Sequence, residues 1–324
     1  MKTGLRTAVV GAGAIGSALD AGMTDTPLTH AGAWLAAGQQ LCALLDTADT
    51  LEAQAAKWNT TAWRDFDAMM QQVQPVVLSF AVPTAARPEL MLRALQYDCL
   101  RAVVAEKPLA GSLKEAQAIV QAYRTRKLPL VVNYSRRFVP AWQALAGSTA
   151  ISATVKYAKG IRHNGTHAID LCRMLFGDCL QALPLSGNKD FWEDDPTVTA
   201  LLRFERCPEV LLQGLDERCF TLFEVDIVGV DYRVIVDQDG RRVRRFELHQ
   251  QAGIPPGRRL VQTSEQDTGA AKAMLSLVRH AAELCQGGVP LCSGEDAIAS
   301  LEIAQDLSDA FGEQQKISQG RLAQ

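Results

Sequence analysis

The first 133 residues alternate short apolar runs with stretches of helical spacing. "RTAVVGAGAIG", "QLCALLD", "PVVLSFAVP", "RAVVAEKP" and "LPLVVNY" are continuous apolar runs closed by glycine, proline or a polar residue. Runs of this kind suit parallel strands buried on both faces. Between them lie "TLEAQAAKW", "DFDAMMQQV", "PELMLRALQY" and "SLKEAQAIVQAYRTRK". The last opens on a capping box, Ser112 with Glu115, and crowds basic residues into its final turn. The alternation predicts an α/β fold that begins with a doubly wound parallel sheet.

From about residue 150 the pattern changes. "ISATVKYAK", "TVTALLRF", "EVLLQGL", "FTLFEVDIVG" and "YRVIVD" follow one another without intervening helices, as in an antiparallel sheet. Helical spacing returns at 166–176, 270–286 and 294–311. In "FTLFEVDIVG", Phe223, Val225 and Ile227 share one face, and Leu222, Glu224 and Asp226 share the other. An open, mostly antiparallel sheet is therefore expected, with helices on one face and solvent or a second subunit on the other. The expected division is 1–133 for a dinucleotide-binding Rossmann domain and 134–324 for a second α/β domain.

A chain of 324 residues accommodates two domains of ordinary size. Its net charge of −3 gives no reason to expect nucleic acid or an anionic membrane as partner. The short basic clusters "RTRK" (124–127) and "RRVRR" (241–245) read as solvated surface. No apolar run reaches the ~18 residues of a membrane span. The N-terminus enters a strand pattern at once, so no signal peptide is expected. The eight cysteines form no C-x-x-C pair and read as buried or half-buried thiols of a cytoplasmic protein.

"VVGAGAIG" carries G-x-G-x-x-G at Gly11, Gly13 and Gly16, after a strand and before a helix. Gly11 permits a tight turn, Gly13 lets the backbone approach a pyrophosphate, and Gly16 lets helix and strand pack closely. The helix N-terminus then offers N–H groups to phosphate. Asp46 ends the second run. A carboxylate there accepts hydrogen bonds from ribose hydroxyls and repels a 2′-phosphate, which favours NAD(H) over NADP(H). It stands 30 residues past Gly16, against the usual ~20, and "TDTPLTHAGAWLAAG" (24–38) reads as the insertion responsible. A helix cap is the other reading of an acid in "DTADT".

"VVAEKPLAGS" sets Lys107 just beyond a buried strand, at the sheet edge where ligands bind in such folds. A lysine there can donate to a substrate oxygen or take part in proton transfer; it can equally be a surface lysine at a strand end.

With these pieces, the chain resembles the glucose–fructose oxidoreductase / inositol dehydrogenase (Gfo/Idh/MocA) family. The likeness rests on "VVGAGAIG", "AEKPLAGSLKEAQAI", "VNYSRRFVPAW", "NGTHAIDLCRMLFGD" and "EDAIASLEIAQDLSDA", in that order along nearly the whole chain. It implies an enzyme that moves a hydride between NAD(P) and a sugar, polyol or nucleotide-sugar carbon. The implied cofactor cradle is Gly11, Gly13, Ala14, Ile15 and Gly16 with Asp46, Pro83, Glu106, Lys107 and Asn133. Lys107 matches the catalytic lysine, and Asn133, Tyr134 and Arg137 match the segment lining the cleft beside the nicotinamide. Residues 134–324 would bind substrate and form a homodimer or homotetramer. Where the family often has a histidine after "AVPT", this chain has Arg87, whose guanidinium can pair with an anionic substrate or cofactor phosphate, or face solvent.

"GIRHNGTHAIDLCRMLFGD" (160–178) holds two of the five histidines. In a helix beginning near 163, His163, His167, Asp170 and Met174 share one face, and Gly177 is a good stop. The pair lacks a third ligand, an H-E-x-x-H or a cysteine pair, so no metal is expected. By resemblance His167 is the catalytic acid/base, and His163 falls where relatives often carry Asp. Asp170 can orient His167, cap the helix or touch substrate hydroxyls; together His163, Asp170, Tyr134 and Arg137 are the expected substrate side. The bland alternative is that both histidines solvate a helix start. Reduction of a C=N bond, or a non-catalytic cofactor-sensing regulator, are the alternative functions; retention of Lys107 and His167 disfavours the regulator.

Overall fold

The computed structural model describes residues 4–251 and 257–322. The elements run β1 (Arg6–Val10), α1 (His30–Ala36), β2 (Gln40–Leu45), α2 (Leu51–Lys57), β3 (Thr61–Trp63), α3 (Phe66–Val73), β4 (Val77–Phe80), α4 (Arg87–Ala94), β5 (Ala102–Ala105), α5 (Leu113–Arg126) and β6 (Leu130–Val132). There follow α6 (Pro140–Gln143), β7 (Ser152–Ala158), α7 (Thr166–Phe176), β8 (Cys179–Trp192), β9 (Asp195–Phe204), β10 (Cys207–Leu215), β11 (Glu224–Val228), β12 (Tyr232–Asp237), β13 (Arg242–Gln251), β14 (Gly257–Asp267), α8 (Ala273–Leu284) and α9 (Gly294–Leu322).

The chain forms two units. The first joins residues 1–138 to 271–298, and the second joins 139–270 to 299–324. A single cut after residue 133 misses the return of 271–298. The reason is packing: Leu277, Val278, Ala281 and Leu284 of α8 are buried in the same core as β1, β4 and β5.

The first unit is a six-stranded sheet in the order β3-β2-β1-β4-β5-β6, with every pairing parallel. Every residue of β4 and β5 is buried, as expected of strands covered on both faces. The order reverses between β1 and β4, which opens a crevice at the carboxyl ends of those strands. Ser112 caps α5 as expected: it accepts from the Glu115 amide at 3.3 Å, and its hydroxyl donates to Glu115 Oε2 at 3.0 Å.

The region after β1 departs from expectation. The glycine turn opens only one π-helical turn, Ala14–Ala18, and α1 begins at His30. The extra chain is therefore the loop 19–29, whereas most of 30–38 is a core helix with Ala31, Ala33 and Trp34 fully buried. Asp20 holds the loop by accepting from the amides of Leu28 and Thr29, both at 2.9 Å, and from the Thr29 hydroxyl at 2.6 Å. Thr29 in turn caps α1 by accepting from Gly32 N at 3.0 Å.

The second unit is an eight-stranded sheet in the order β14-β13-β12-β11-β7-β10-β9-β8. Only β7 and β10 pair in parallel; the rest are antiparallel. Phe223, Val225 and Ile227 are buried, as their alternation predicts. The opposite face is charged across β7, β11, β12 and β13, and apolar across β8, β9 and β10, where Leu183, Leu201 and Leu211 stand in register. Lys156 pairs with Glu224, Arg233 with Asp226 and Arg244 with Asp237 across neighbouring strands. "RRVRR" thus contributes to β13, a strand that its charge concealed. Among the described residues all eight cysteines are free thiols, and Cys219 alone is exposed. No described helix is long and apolar enough to cross a membrane.

Candidate active site

In the first unit the glycine turn shows why each position takes glycine. Gly11 has φ +104°, and a Cβ there would stand 2.6 Å from the Ala81 carbonyl carbon and the Val82 nitrogen. A Cβ on Gly16 would stand 1.8 Å from the Gly11 carbonyl oxygen. Gly13 differs, because a Cβ would meet no protein atom within 4 Å. Its lack of a side chain serves no packing need, which fits a residue kept bare for a ligand. Gly13, Ala14, Ile15 and Pro83 are exposed around this turn. The cradle therefore fits a dinucleotide.

Asp46 faces the same turn. Its Oδ2 accepts from Ala12 N at 2.6 Å, and its Oδ1 accepts from Thr47 N at 2.7 Å and Ala48 N at 3.0 Å. The carboxylate thus holds its own turn and grips the glycine loop; it does not cap the next helix, whose N-cap is Thr50. An arginine does approach here, from the end of β3. Arg64 donates to the Thr47 and Ala48 carbonyls, and Glu52 engages it through both oxygens at 2.9 Å.

The turn after β5 is held from several sides. Arg87 is buried and does not face solvent. It donates to the Glu106 carbonyl at 2.6 Å, the Pro108 carbonyl and the Val82 carbonyl at 2.8 Å. The two ligand-pairing roles considered for it give way to a clamp joining the ends of β4 and β5. Burial pulls its pKa down to about 10, against the opposing charge of Glu106. The bond from Lys107 to Pro108 is cis, and Lys107 itself is half-buried.

Glu106 is tied by its side chain as well. Asn133 Nδ2 donates to its Oε1 at 2.6 Å, and the ring Nε2 of His30 stands 3.0 Å from the same oxygen. Burial pushes the Glu106 carboxyl up. The His30 hydrogen bond and charge, the Asn133 amide and the Arg87 guanidinium outweigh it, so its pKa lies below the ordinary glutamate value. His30, fully buried at the start of α1, is the residue that sequence reasoning missed. Its only local signal is the Thr29 cap that starts a helix inside an apparent insertion.

The other first-unit candidates point inward. Tyr134 is packed in the core, and Arg137 is buried. Arg137 donates to the Leu291 carbonyl at 3.0 Å and to Asp296 at 3.1 Å. A guanidinium committed in this way fastens the 291–296 segment rather than meeting a substrate.

In the second unit the histidine segment starts as a π-helical turn, Gly160–Gly165, before α7 begins at Thr166. His163 therefore lies off the α-helical face that His167 and Asp170 occupy. The turn is held by Asp195 and Thr197, farther along the chain. Asp195, itself buried, accepts from Arg162 N at 2.8 Å and His163 N at 3.0 Å. Burial raises the Asp195 pKa against those donors. Thr197 accepts from Gly160 N at 2.7 Å. The His163 ring packs on Trp192, centroids 4.5 Å apart. His167 is half-buried on α7. Asp170 is fully buried and accepts from Ser300 at 3.4 Å, which removes contact with substrate hydroxyls from its possible roles. Gly177 ends the helix at φ +89°. Among the described residues, no three His, Cys, Asp or Glu side chains gather as a metal site.

A parallel 3-2-1-4-5-6 sheet with this cradle, and a lysine at its carboxyl edge, defines a nicotinamide-dependent dehydrogenase or reductase. Residues 5–134 match the oxidoreductase family described as having an NAD-binding Rossmann fold. Over this domain the chain is similar to the glucose–fructose oxidoreductase / inositol dehydrogenase (Gfo/Idh/MocA) family. It is 25% identical over 283 residues to a D-apiose dehydrogenase of Paraburkholderia graminis, covering 75% of this chain and 72% of that protein. It shares its fold with a UDP-N-acetylglucosamine 3-dehydrogenase of Acidithiobacillus ferrooxidans, at TM-score 0.73 and 19% identity, covering 94% and 97% of the two chains. It also shares it with a levoglucosan dehydrogenase in complex with NADH and L-sorbose, at TM-score 0.76 and 15% identity, covering 96% and 97%.

Proposed function

We propose that the protein transfers a hydride between NAD(H) and a carbon of a sugar, polyol or nucleotide sugar. The observation that carries this reading is the bare space at Gly13 beside a carboxylate fixed by Ala12. When bound, the nicotinamide supplies or accepts the hydride. Asp46 receives the ribose hydroxyls and disfavours a 2′-phosphate; Glu52 already neutralises Arg64, the nearby cation. Glu106 and Asn133 complete the nicotinamide end of the cradle.

Lys107 polarises a substrate oxygen, and His167 serves as the acid/base that moves a proton. His163 shapes the pocket wall with Trp192. The dehydrogenases that this chain resembles act on sugars, which supports the substrate class. We also propose a cytoplasmic homodimer or homotetramer, formed through the outer face of the second sheet, where Leu183 and Leu201 are exposed side by side. The test is a screen of sugars, polyols and nucleotide sugars followed by NADH absorbance in both directions. Lys107→Met should bind NADH as the wild type does and lose turnover by orders of magnitude. His167→Asn should abolish the neutral-pH dependence of turnover. Near-native behaviour of both variants would remove them from the mechanism.

A further inference from the structure

We infer that His30 is a positioning residue, which ties the cofactor turn to the Glu106-Lys107 turn through its hydrogen bond to Glu106. The inference rests on the proposed role of Lys107 and goes beyond it.

Three features of the geometry carry it. The first is how completely Glu106 is held. Its amide donates to the Phe80 carbonyl at 3.0 Å, and its carbonyl accepts from Arg87 at 2.6 Å. On the side chain, His30 and Asn133 converge on one oxygen, Oε1, from different elements. Two donors at one oxygen restrict the rotation of the carboxylate. Arg87 also grips Pro108, so Lys107 sits between two anchored neighbours. Loss of one anchor frees the residue next to it.

The second feature is where His30 comes from. It follows the 19–29 loop, which leaves the glycine turn directly. Lys57 donates to the Ser17 carbonyl at 2.7 Å and the Asp20 carbonyl at 2.8 Å, and Asp20 fastens Leu28 and Thr29. Hydrogen bonds and short covalent links therefore connect the cofactor turn, through the loop, to His30 and Glu106. The added chain length thus has a use: it delivers an imidazole to the catalytic turn.

The third feature is burial. His30 is 0% exposed, and its Nδ1 has no hydrogen-bond partner. An imidazole buried at that cost, with one nitrogen given to a carboxylate, is poorly explained as packing, for which leucine or phenylalanine would serve. The arrangement requires Nε2–H to be the donor.

The test compares His30→Gln with His30→Asn in the full chain. Both side chains are polar, so both tolerate the site similarly. The Gln amide reaches Glu106, whereas the Asn amide is one methylene too short. A misplacement of about 1 Å at a reacting group can cost on the order of 100-fold in rate. We expect His30→Asn to lose 10- to 100-fold in kcat, with the NADH dissociation constant and substrate KM within about threefold of wild type. His30→Gln should recover kcat to within a few-fold. A purely structural role would lower the melting temperature of both and leave kcat alike. Equal kcat in the two variants, with wild-type turnover intact, overturns the inference while the dehydrogenase reading stands. A wild-type protein that binds NADH and turns over nothing in the substrate screen overturns both.

Discussion

Adding one methyl group to Gly13 should separate folding from cofactor binding. Gly13 has φ −70° and ψ −160°, a negative-φ extended conformation at the border of the β region, where alanine meets little strain. An added Cβ meets nothing within 4 Å. On the protein side the substitution removes only unfolded-state freedom, which is worth about 0.4–1 kcal/mol in favour of the fold. That corresponds to a melting temperature raised by roughly 1–4 °C. On the ligand side the methyl stands where the pyrophosphate must approach the backbone. Losing one charge-assisted hydrogen bond costs about 1.5–3 kcal/mol, or roughly 10- to 150-fold in affinity. The neighbouring glycines provide the contrast. Alanine at 16 would stand 1.8 Å from the Gly11 oxygen, so Gly16→Ala should lose stability and binding together. The assays are thermal unfolding and NADH fluorescence titration on the same preparations. Native NADH affinity in Gly13→Ala would refute the placement of the phosphates.

Three further outcomes are expected. Asp46→Ala should weaken NAD(H) more than NADP(H), since the lost carboxylate both receives ribose and repels phosphate; unchanged affinity for both would place Asp46 outside the cradle. Arg87→Met should destabilise the first unit by on the order of 2 kcal/mol, because three carbonyls lose a charged donor; a melting temperature equal to wild type would contradict the clamp. Glu106 contributes acid-side stability, because its pKa is depressed in the fold. That contribution is full above the ordinary glutamate value of about 4.3 and is lost as pH falls through the folded value. Urea midpoints of Glu106→Gln should therefore vary less with pH below about 4 than those of wild type, and parallel profiles would count against it.

What the sequence shows and hides follows from the range of each interaction. Gly11, Gly13 and Gly16 act within a few residues of themselves, so their pattern is readable without a structure. The same is true of Gly177 after α7 and of the Ser112 cap. Asp46 was readable as a strand-end acid, but its bond to Ala12 spans 34 residues and was not. His30 meets Glu106 across 76 residues, and its segment carries no periodicity beyond a short helix. Arg87 looks like a surface cation until the fold buries it against carbonyls of two other strand ends. The edge strands β8 and β14, and β13 beside the latter, carry little strand signal because few of their described side chains are buried, and that signal depends on burial. The π-helical turn at 160–165 is set by Asp195 and Thr197, more than thirty residues away, so an α-helical wheel misplaces His163.

The most direct test of the account is turnover of the purified protein with NAD⁺ or NADH across sugars, polyols and nucleotide sugars, run beside Lys107→Met. The account predicts reversible change in NADH absorbance with at least one of these compounds, a lower Kd for NADH than for NADPH, and loss of turnover but not of NADH binding in the variant. Tight NADH binding with no turnover of any compound, and identical behaviour of Lys107→Met, would contradict it.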